Sequence, residues 1–262
     1  MTRMRASLLA ASMVVAVVVA PAPRLSAQTV GDVFRRVQPS VVVIRATGRD
    51  ATTGGGAQAV KEVGSGVLIS SDGNVMTAAH VVQAMDEIRV ELPGGETVGA
   101  RVVASEPAAD LSLLKLERVP PKAVVARLAN SDAVRVGDQV IVVGAPYGLV
   151  YSMSVGWISA RWGANTVYKQ MPLADFFQTT ATINQGNSGG PMFDIAGEVI
   201  GIVSHNISKS GGSEGLGFIP VGYLASYEKI RDELRRLGPG ATLTVTILRA
   251  GQIKDLSGRM SR

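Results

Sequence analysis

The sequence predicts an all-β protein built as two small barrels, and three observations carry that reading. Short β-branched or apolar runs recur from Ser40 to Ile219, bounded by glycine, proline and aspartate turn signals. They fall into two groups on either side of a break near residues 118–126, which contains Pro120 and Pro121. The runs are not interleaved with helix-length amphipathic segments, as βαβ units would require, so a barrel or sandwich is indicated.

Taken in order, Arg3 and Arg5 precede an uncharged apolar run from Ala6 to Ala20, and Ala27 supplies a small residue before Gln28. This is the pattern of a secretory signal peptide over residues 1–27, and it implies an extracytoplasmic product, periplasmic or secreted. Such a run is short for a membrane span of about 20 residues; an uncleaved anchor is the alternative. Removing Arg3, Arg5 and Arg24 with the leader lowers the 26 basic residues to 23 against 21 acids, and the net charge from +5 to +2. There is no dense basic patch interleaved with aromatics, which argues against nucleic acid as a partner. With no cysteine and two histidines, neither disulfides nor a Cys/His cluster for a structural zinc site is expected, and no cofactor or metal is assigned.

Thr29 to Gln38 has Val30, Val33, Phe34 and Val37 on one helical face, and Pro39 ends it. Ser40–Ala46 is the first strand, and the polar, glycine-rich stretch from Gly48 to Ala59 reads as a loop. Gly64–Ser70 and Asn74–Thr77 flank the turn Ser71-Asp72-Gly73 and form a hairpin that ends just before His80. Further strands are expected at 88–92, 97–105, 111–116, 140–143, 155–160, 176–180, 198–204 and 215–219. A helix is expected from Val221 to Leu237, stopped by Gly238-Pro239-Gly240.

The chemistry centres on Gln185-Gly186-Asn187-Ser188-Gly189-Gly190-Pro191. Its glycines allow a loop whose N–H groups converge beside the Ser188 hydroxyl, which is the arrangement acyl transfer needs. Gly186-x-Ser188-x-Gly190 also fits a nucleophile elbow, but that motif requires the order Ser, Asp/Glu, His, and only His205 follows the serine, 17 positions on. His80 in Thr77-Ala78-Ala79-His80-Val81-Val82 and Asp110 in Ala109-Asp110-Leu111 stand upstream, in the order His, Asp, Ser. Individually, each has an ordinary reading: a packed strand-end histidine, a strand-start cap and a turn serine. Asp72 and Asp86 compete with Asp110 but sit in turn-like or polar stretches.

Val63-Gly64-Ser65-Gly66, Thr77–Val82, Asp110-Leu111, Gly186–Pro191 and Gly217-Phe218-Ile219-Pro220, occurring in that order, resemble the HtrA/DegP branch of trypsin-like serine proteases over about residues 30–237. The resemblance implies two perpendicular six-stranded β-barrels of chymotrypsin type, about 40–118 and 127–220, within a protease domain spanning 28–237. It also implies protein substrates, no cofactor and an extracytoplasmic quality-control role. His80, Asp110 and Ser188 would form the triad, with the backbone of Gly186, Asn187 and Ser188 around the oxyanion. Thr182 would lie at the base of the primary pocket, Ile183 in its wall, and Ser204 and His205 along the substrate, with a half-exposed structural histidine as the ordinary reading of His205. Trimers are common in the family, and Phe34 could serve such a contact.

Two departures stand out. Family members usually carry proline where this chain has Gln185, and Thr242–Gln252 is similar to the closing hairpin of a PDZ domain, so 238–262 reads as a PDZ remnant or short β-tail. Trp157, Trp162 and Tyr168 read as barrel and loop packing rather than a ligand cage. The rival function is a non-catalytic, chaperone-like or binding protein that keeps a protease fold.

Overall fold

The structure is a computed structural model that describes residues 29–51, 57–149, 151–163, 166, 175–206, 213–221, 242–249 and 252–259. The expected signal peptide, the expected helix after Val221 and Tyr168 lie outside the described residues.

Helix α1 (Val30–Val37) begins with a capping box: Asp32 N–H donates to Thr29 Oγ1 at 3.2 Å, and Thr29 N–H donates to Asp32 Oδ2 at 2.9 Å. Val33 and Val37 are buried, and Val30 and Phe34 pack beside them, so Phe34 is partly committed to the interior.

Strands β1 (Val41–Ala51), β2 (Ala57–Leu68), β3 (Asn74–Thr77), β4 (Glu87–Glu91), β5 (Thr97–Glu106) and β6 (Leu111–Leu116) close into a barrel of order β1-β2-β3-β6-β5-β4. Strict alternation selects its lining: Ile88 and Val90 on β4, Ser112, Leu114 and Leu116 on β6. The expected loop from Gly48 to Ala59 is corrected in part. β1 and β2 continue pairing out to Ala51↔Ala57, because cross-strand hydrogen bonding does not depend on side-chain polarity.

The second unit comprises β7 (Arg127–Leu128), β8 (Gln139–Gly144), β9 (Ser152–Trp162), β10 (Asp175–Thr179), β11 (Pro191–Asp194), β12 (Glu198–Ile202), β13 (His205–Asn206) and β14 (Gly217–Val221). Among the described residues it is an eight-stranded sheet of order β13-β14-β10-β9-β8-β11-β12-β7, where the resemblance implied a closed six-stranded barrel. Three of its strands, β7, β11 and β13, are absent from the sequence expectation. β7 and β13 are two residues each, too short for a period-2 pattern, and β11 opens on Pro191 directly after the glycine loop, where proline at a first strand position is tolerated. Trp157 also departs from expectation, standing 52% exposed on β9. The β15 (Thr242–Arg249) and β16 (Gln252–Arg259) strands pair as an antiparallel hairpin.

Each unit has its own core, one around Ile44, Leu68 and Leu114 and the other around Val142, Phe177 and Ile219. A third cluster joins them, bringing Val33 and Val37 of α1 and Val41 and Val67 of the barrel against Ile141, Val143, Phe193 and Ile202 of the second sheet. This shared apolar layer holds the two halves of the site in register. Phe193 is fully buried at its centre. Phe193→Ala is therefore expected to cost about 3–5 kcal/mol and to weaken both units together. In urea, tryptophan fluorescence, which reports the second sheet, and far-ultraviolet circular dichroism should shift to the same lower midpoint; separated transitions would contradict the shared layer.

Candidate active site

His80 lies on the four-residue helix α2 (Ala79–Val82), whose Val81 and Val82 are anchored in the barrel core while the imidazole faces outward. Asp110 follows a 3-10 turn, Pro107–Ala109, and takes a left-handed conformation (φ 51°, ψ 42°), one that aspartate tolerates better than most residues. That backbone turn directs the carboxylate to α2. Asp110 Oδ1 accepts the His80 main-chain N–H at 3.0 Å, and His80 Nδ1 lies 3.0 Å from Oδ1 and 2.9 Å from Oδ2. The Asp110 carbonyl also accepts Ala79 N–H at 3.2 Å. From the second unit, the Ser204 hydroxyl donates to Asp110 Oδ2.

Burial alone would raise the Asp110 pKa, but the hydrogen bond and charge of His80 and the bond from Ser204 outweigh it, and the carboxyl sits below its ordinary value of 3.8. Asp110 is 3% exposed, a buried anion with its acceptors filled. His205 Nδ1 lies 3.6 Å from Asp110 Oδ2 and contacts Ser204 Oγ, and its ring is 5.1 Å from that of His80. Burial lowers the His205 pKa below 6.5; Asp110 opposes that shift and His80 adds to it.

The Ser188 loop is built around two glycines. At Gly189 (φ +81°) a Cβ would stand 2.1 Å from Thr77 Oγ1 and 2.2 Å from the Ser65 carbonyl oxygen; at Gly186 (φ +97°) it would stand 2.2 Å from the Ala145 carbonyl oxygen. Both handedness and space therefore require glycine. Ser65, on β2 of the barrel, clamps the loop: its N–H donates to Ser188 O at 2.8 Å, and its hydroxyl donates to Gly186 O at 2.7 Å and accepts Ala145 N–H at 2.9 Å. The sequence singled out Ser65 only as part of a motif; its flanking glycines, Gly64 and Gly66, were the signal of a close approach.

Tyr147 N–H donates to the Gln185 carbonyl at 2.8 Å. In a trans peptide the C=O and N–H point in opposite directions, so this bond turns the Gly186 N–H the other way. Asn187 N–H, grouped by resemblance with the oxyanion donors, is instead bonded to Asn184 O at 3.0 Å. Gly189 and Gly190 N–H groups donate to Val203 O and Asn187 O. Among the described residues, the Gly186 and Ser188 N–H groups have no acceptor in this loop. The Ser188 hydroxyl donates to the Ser204 carbonyl at 3.3 Å.

The expected pocket residues divide. Thr182 is exposed, and its carbonyl accepts Asn187 Nδ2 at 3.4 Å. Ile183 is 2% exposed and belongs to the second core, with Gly217 closely against it. Ser204 and His205 are turned to Asp110. The rival acid Asp72 is held by Lys115 at 2.7 Å, a hydrogen bond that with one from Ser70 pulls its pKa to about 2, and it keeps to its turn.

Two outcomes follow from this packing. Ser65→Ala strands a buried donor and a buried acceptor and is expected to cost on the order of 2–4 kcal/mol, read from urea midpoints. Asp110 and His205 both have lowered pKa values in the fold, so both favour the folded state at higher pH. The His205 contribution is complete above 6.5 and lost as pH falls through its folded value; that of Asp110 is complete above 3.8 and lost below it. Urea midpoints should decline as pH falls below 6.5, and less so in His205→Gln.

A trypsin-like peptidase domain matches residues 64–202. A probable periplasmic serine endoprotease, DegP-like, of Pseudomonas fulva (strain 12-X) is 38% identical over 190 residues, 72% of this chain and 38% of that protein. Its namesake in Brucella suis biovar 1 (strain 1330) is 43% identical over 158 residues, 59% of this chain and 30% of that protein. The chain thus spans about a third of the length of these curated relatives. Among solved structures, the HtrA-type protease AlgW with a decapeptide superimposes with a TM-score of 0.67 at 24% identity, covering 89% of this chain and 98% of that one. AlgW with a tripeptide gives 0.66 at 25% identity, covering 88% and 96%. The family model and the sequence relatives agree with the motif order: the chain is similar to DegP-like endoproteases, and it belongs to the trypsin-like peptidase family.

Proposed function

We propose that the chain is a serine endopeptidase acting on unfolded or misfolded proteins outside the cytoplasm, with His80, Asp110 and Ser188 as its catalytic triad. The observation that carries this reading is the His80–Asp110 pairing at 2.9 and 3.0 Å beside a serine loop with two uncommitted N–H groups. Ser188 Oγ attacks the scissile carbonyl while His80 Nε2 takes its proton. Asp110 keeps the Nδ1–H side of the ring oriented and stabilises the imidazolium. The Gly186 and Ser188 N–H groups hold the oxyanion, each such donor being worth about 2.7–4 kcal/mol in related chemistry. The imidazolium proton passes to the departing amine, leaving an acyl-enzyme that water hydrolyses.

Substrate preference follows from what the pocket lacks. Thr182 brings no carboxylate to pair with lysine or arginine, and a cation buried there unpaired would be costly. Small or medium aliphatic side chains before the cut are favoured, with discrimination of about 1–3 kcal/mol per methylene. The periplasmic names of the relatives and the leader-like residues 1–27 support an extracytoplasmic location. Among the described residues, no helix is long and apolar enough to cross a membrane.

One observation favours the non-catalytic reading: Ser188 Oγ is engaged by the Ser204 carbonyl. A bond of 3.3 Å is weak, and catalytic hydrogen bonds often tighten only when substrate binds. A fluorophosphonate probe separates the two readings. Labelling of the chain from Gln28 onward and cleavage of casein are expected, and Ser188→Ala should abolish both while keeping the circular dichroism spectrum; labelling that survives the substitution would overturn the triad. Mass spectrometry of the fragments should place cuts after valine, alanine, isoleucine or leucine, and cuts mainly after lysine or arginine would overturn the pocket assignment.

A further inference from the structure

We propose that His80, Asp110 and His205 form a binding site for a divalent cation of the zinc class, and that the bound ion switches off the base of the proposed protease. The inference rests on the triad reading for its inhibitory half and on geometry alone for its binding half. The chain has two histidines and no cysteine, and both imidazoles converge on one buried carboxylate. The candidate ligand atoms of the three residues all lie within 4.8 Å of one another. Asp110 Oδ2 stands 2.9 Å from His80 Nδ1 and 3.6 Å from His205 Nδ1. Those separations straddle about 3.3 Å, the edge of a tetrahedron with metal–ligand bonds of about 2.0–2.1 Å.

The surroundings also suit an ion. Asp110 lies at the floor, 4% exposed at its side chain, while the His80 and His205 side chains, 40% and 38% exposed, leave a route from solvent. Ser204 Oγ, which contacts both Asp110 Oδ2 and His205 Nδ1, must rotate aside or become a neutral fourth ligand. Two imidazoles and one carboxylate select zinc, copper or nickel over calcium and magnesium, which prefer all-oxygen shells.

The inhibitory step balances without an added reagent. To coordinate zinc, His80 Nδ1 must offer a lone pair, so the single proton of the neutral ring moves from Nδ1 to Nε2. No proton is released, no electrons change hands, and the Asp110 carboxylate supplies the one negative ligand. Nε2 is the atom that would accept the Ser188 proton, and with its own proton in place it cannot.

The test uses the chain from Gln28 onward carrying Ser188→Ala, which retains all three ligands and cannot digest itself. Calorimetric titration with zinc chloride is expected to give one ion per chain, released by EDTA, with no binding of calcium chloride. Nuclear magnetic resonance should show both imidazole spin systems shifting together. His205→Gln and, separately, His80→Gln should each weaken zinc binding by at least about 10- to 100-fold, with melting curves confirming the fold of each. In the Ser188 protein, zinc should slow fluorophosphonate labelling and EDTA should restore it, whereas in His205→Gln the same zinc concentration should not slow whatever labelling remains. Absence of zinc binding, binding indifferent to both substitutions, or labelling unchanged at saturating zinc would each overturn the proposal. A protein that never labels without zinc would remove the protease reading and the inhibitory half with it, while the titration still decides the site.

Discussion

The buried charge of Asp110 is the constraint on which the rest of the site depends. A carboxylate with 3% exposure is tolerable only when its oxygens are supplied with donors. Those donors come from two parts of the chain: the His80 main chain and ring on α2, and the Ser204 hydroxyl between β12 and β13. Satisfying one anion therefore pins the barrel to the second sheet at the point where chemistry is proposed. The left-handed turn at Asp110 is part of the same arrangement, since an extended residue there would direct the carboxylate elsewhere.

The serine loop is held by a different device. Ser65 reaches across from the barrel and bonds three backbone groups of the second unit, those of Ser188, Gly186 and Ala145. The Gln185–Gly186 peptide is oriented by its carbonyl, through Tyr147 N–H. A carbonyl is common to every residue type, so glutamine in place of the family's usual proline leaves this anchor intact. Local hydrogen bonds thus fix the orientation of the proposed oxyanion donors.

His205 changes the character of the carboxylate's surroundings. A second imidazole beside Asp110 competes for the same oxygen, and burial keeps it from protonating readily. One anion beside two imidazoles is a different environment from an anion beside one, and the proposed cation site rests on that difference.

The sequence by itself determined the strand-rich class and named the candidates for the proposed chemistry. The strands at 88–92 and 111–116, the apolar helical face of Val30, Val33, Phe34 and Val37, and the order His80, Asp110, Ser188 are local or ordinal features that need no coordinates. What required tertiary structure was everything carried by backbone hydrogen bonds or by residues distant in sequence. The β1–β2 hairpin runs through a stretch polar enough to read as a loop, because ladder bonds are indifferent to side-chain type. β7 and β13 are two residues long and exist only because β12 and β14 offer them partners. Asn187 lost its free N–H to a turn, and Ile183 went to the core rather than an open pocket, since close packing against Gly217 fills that space. His205 stands 95 positions from Asp110 in the chain, and only the joining of two units across a shared apolar layer brings it to the same carboxylate.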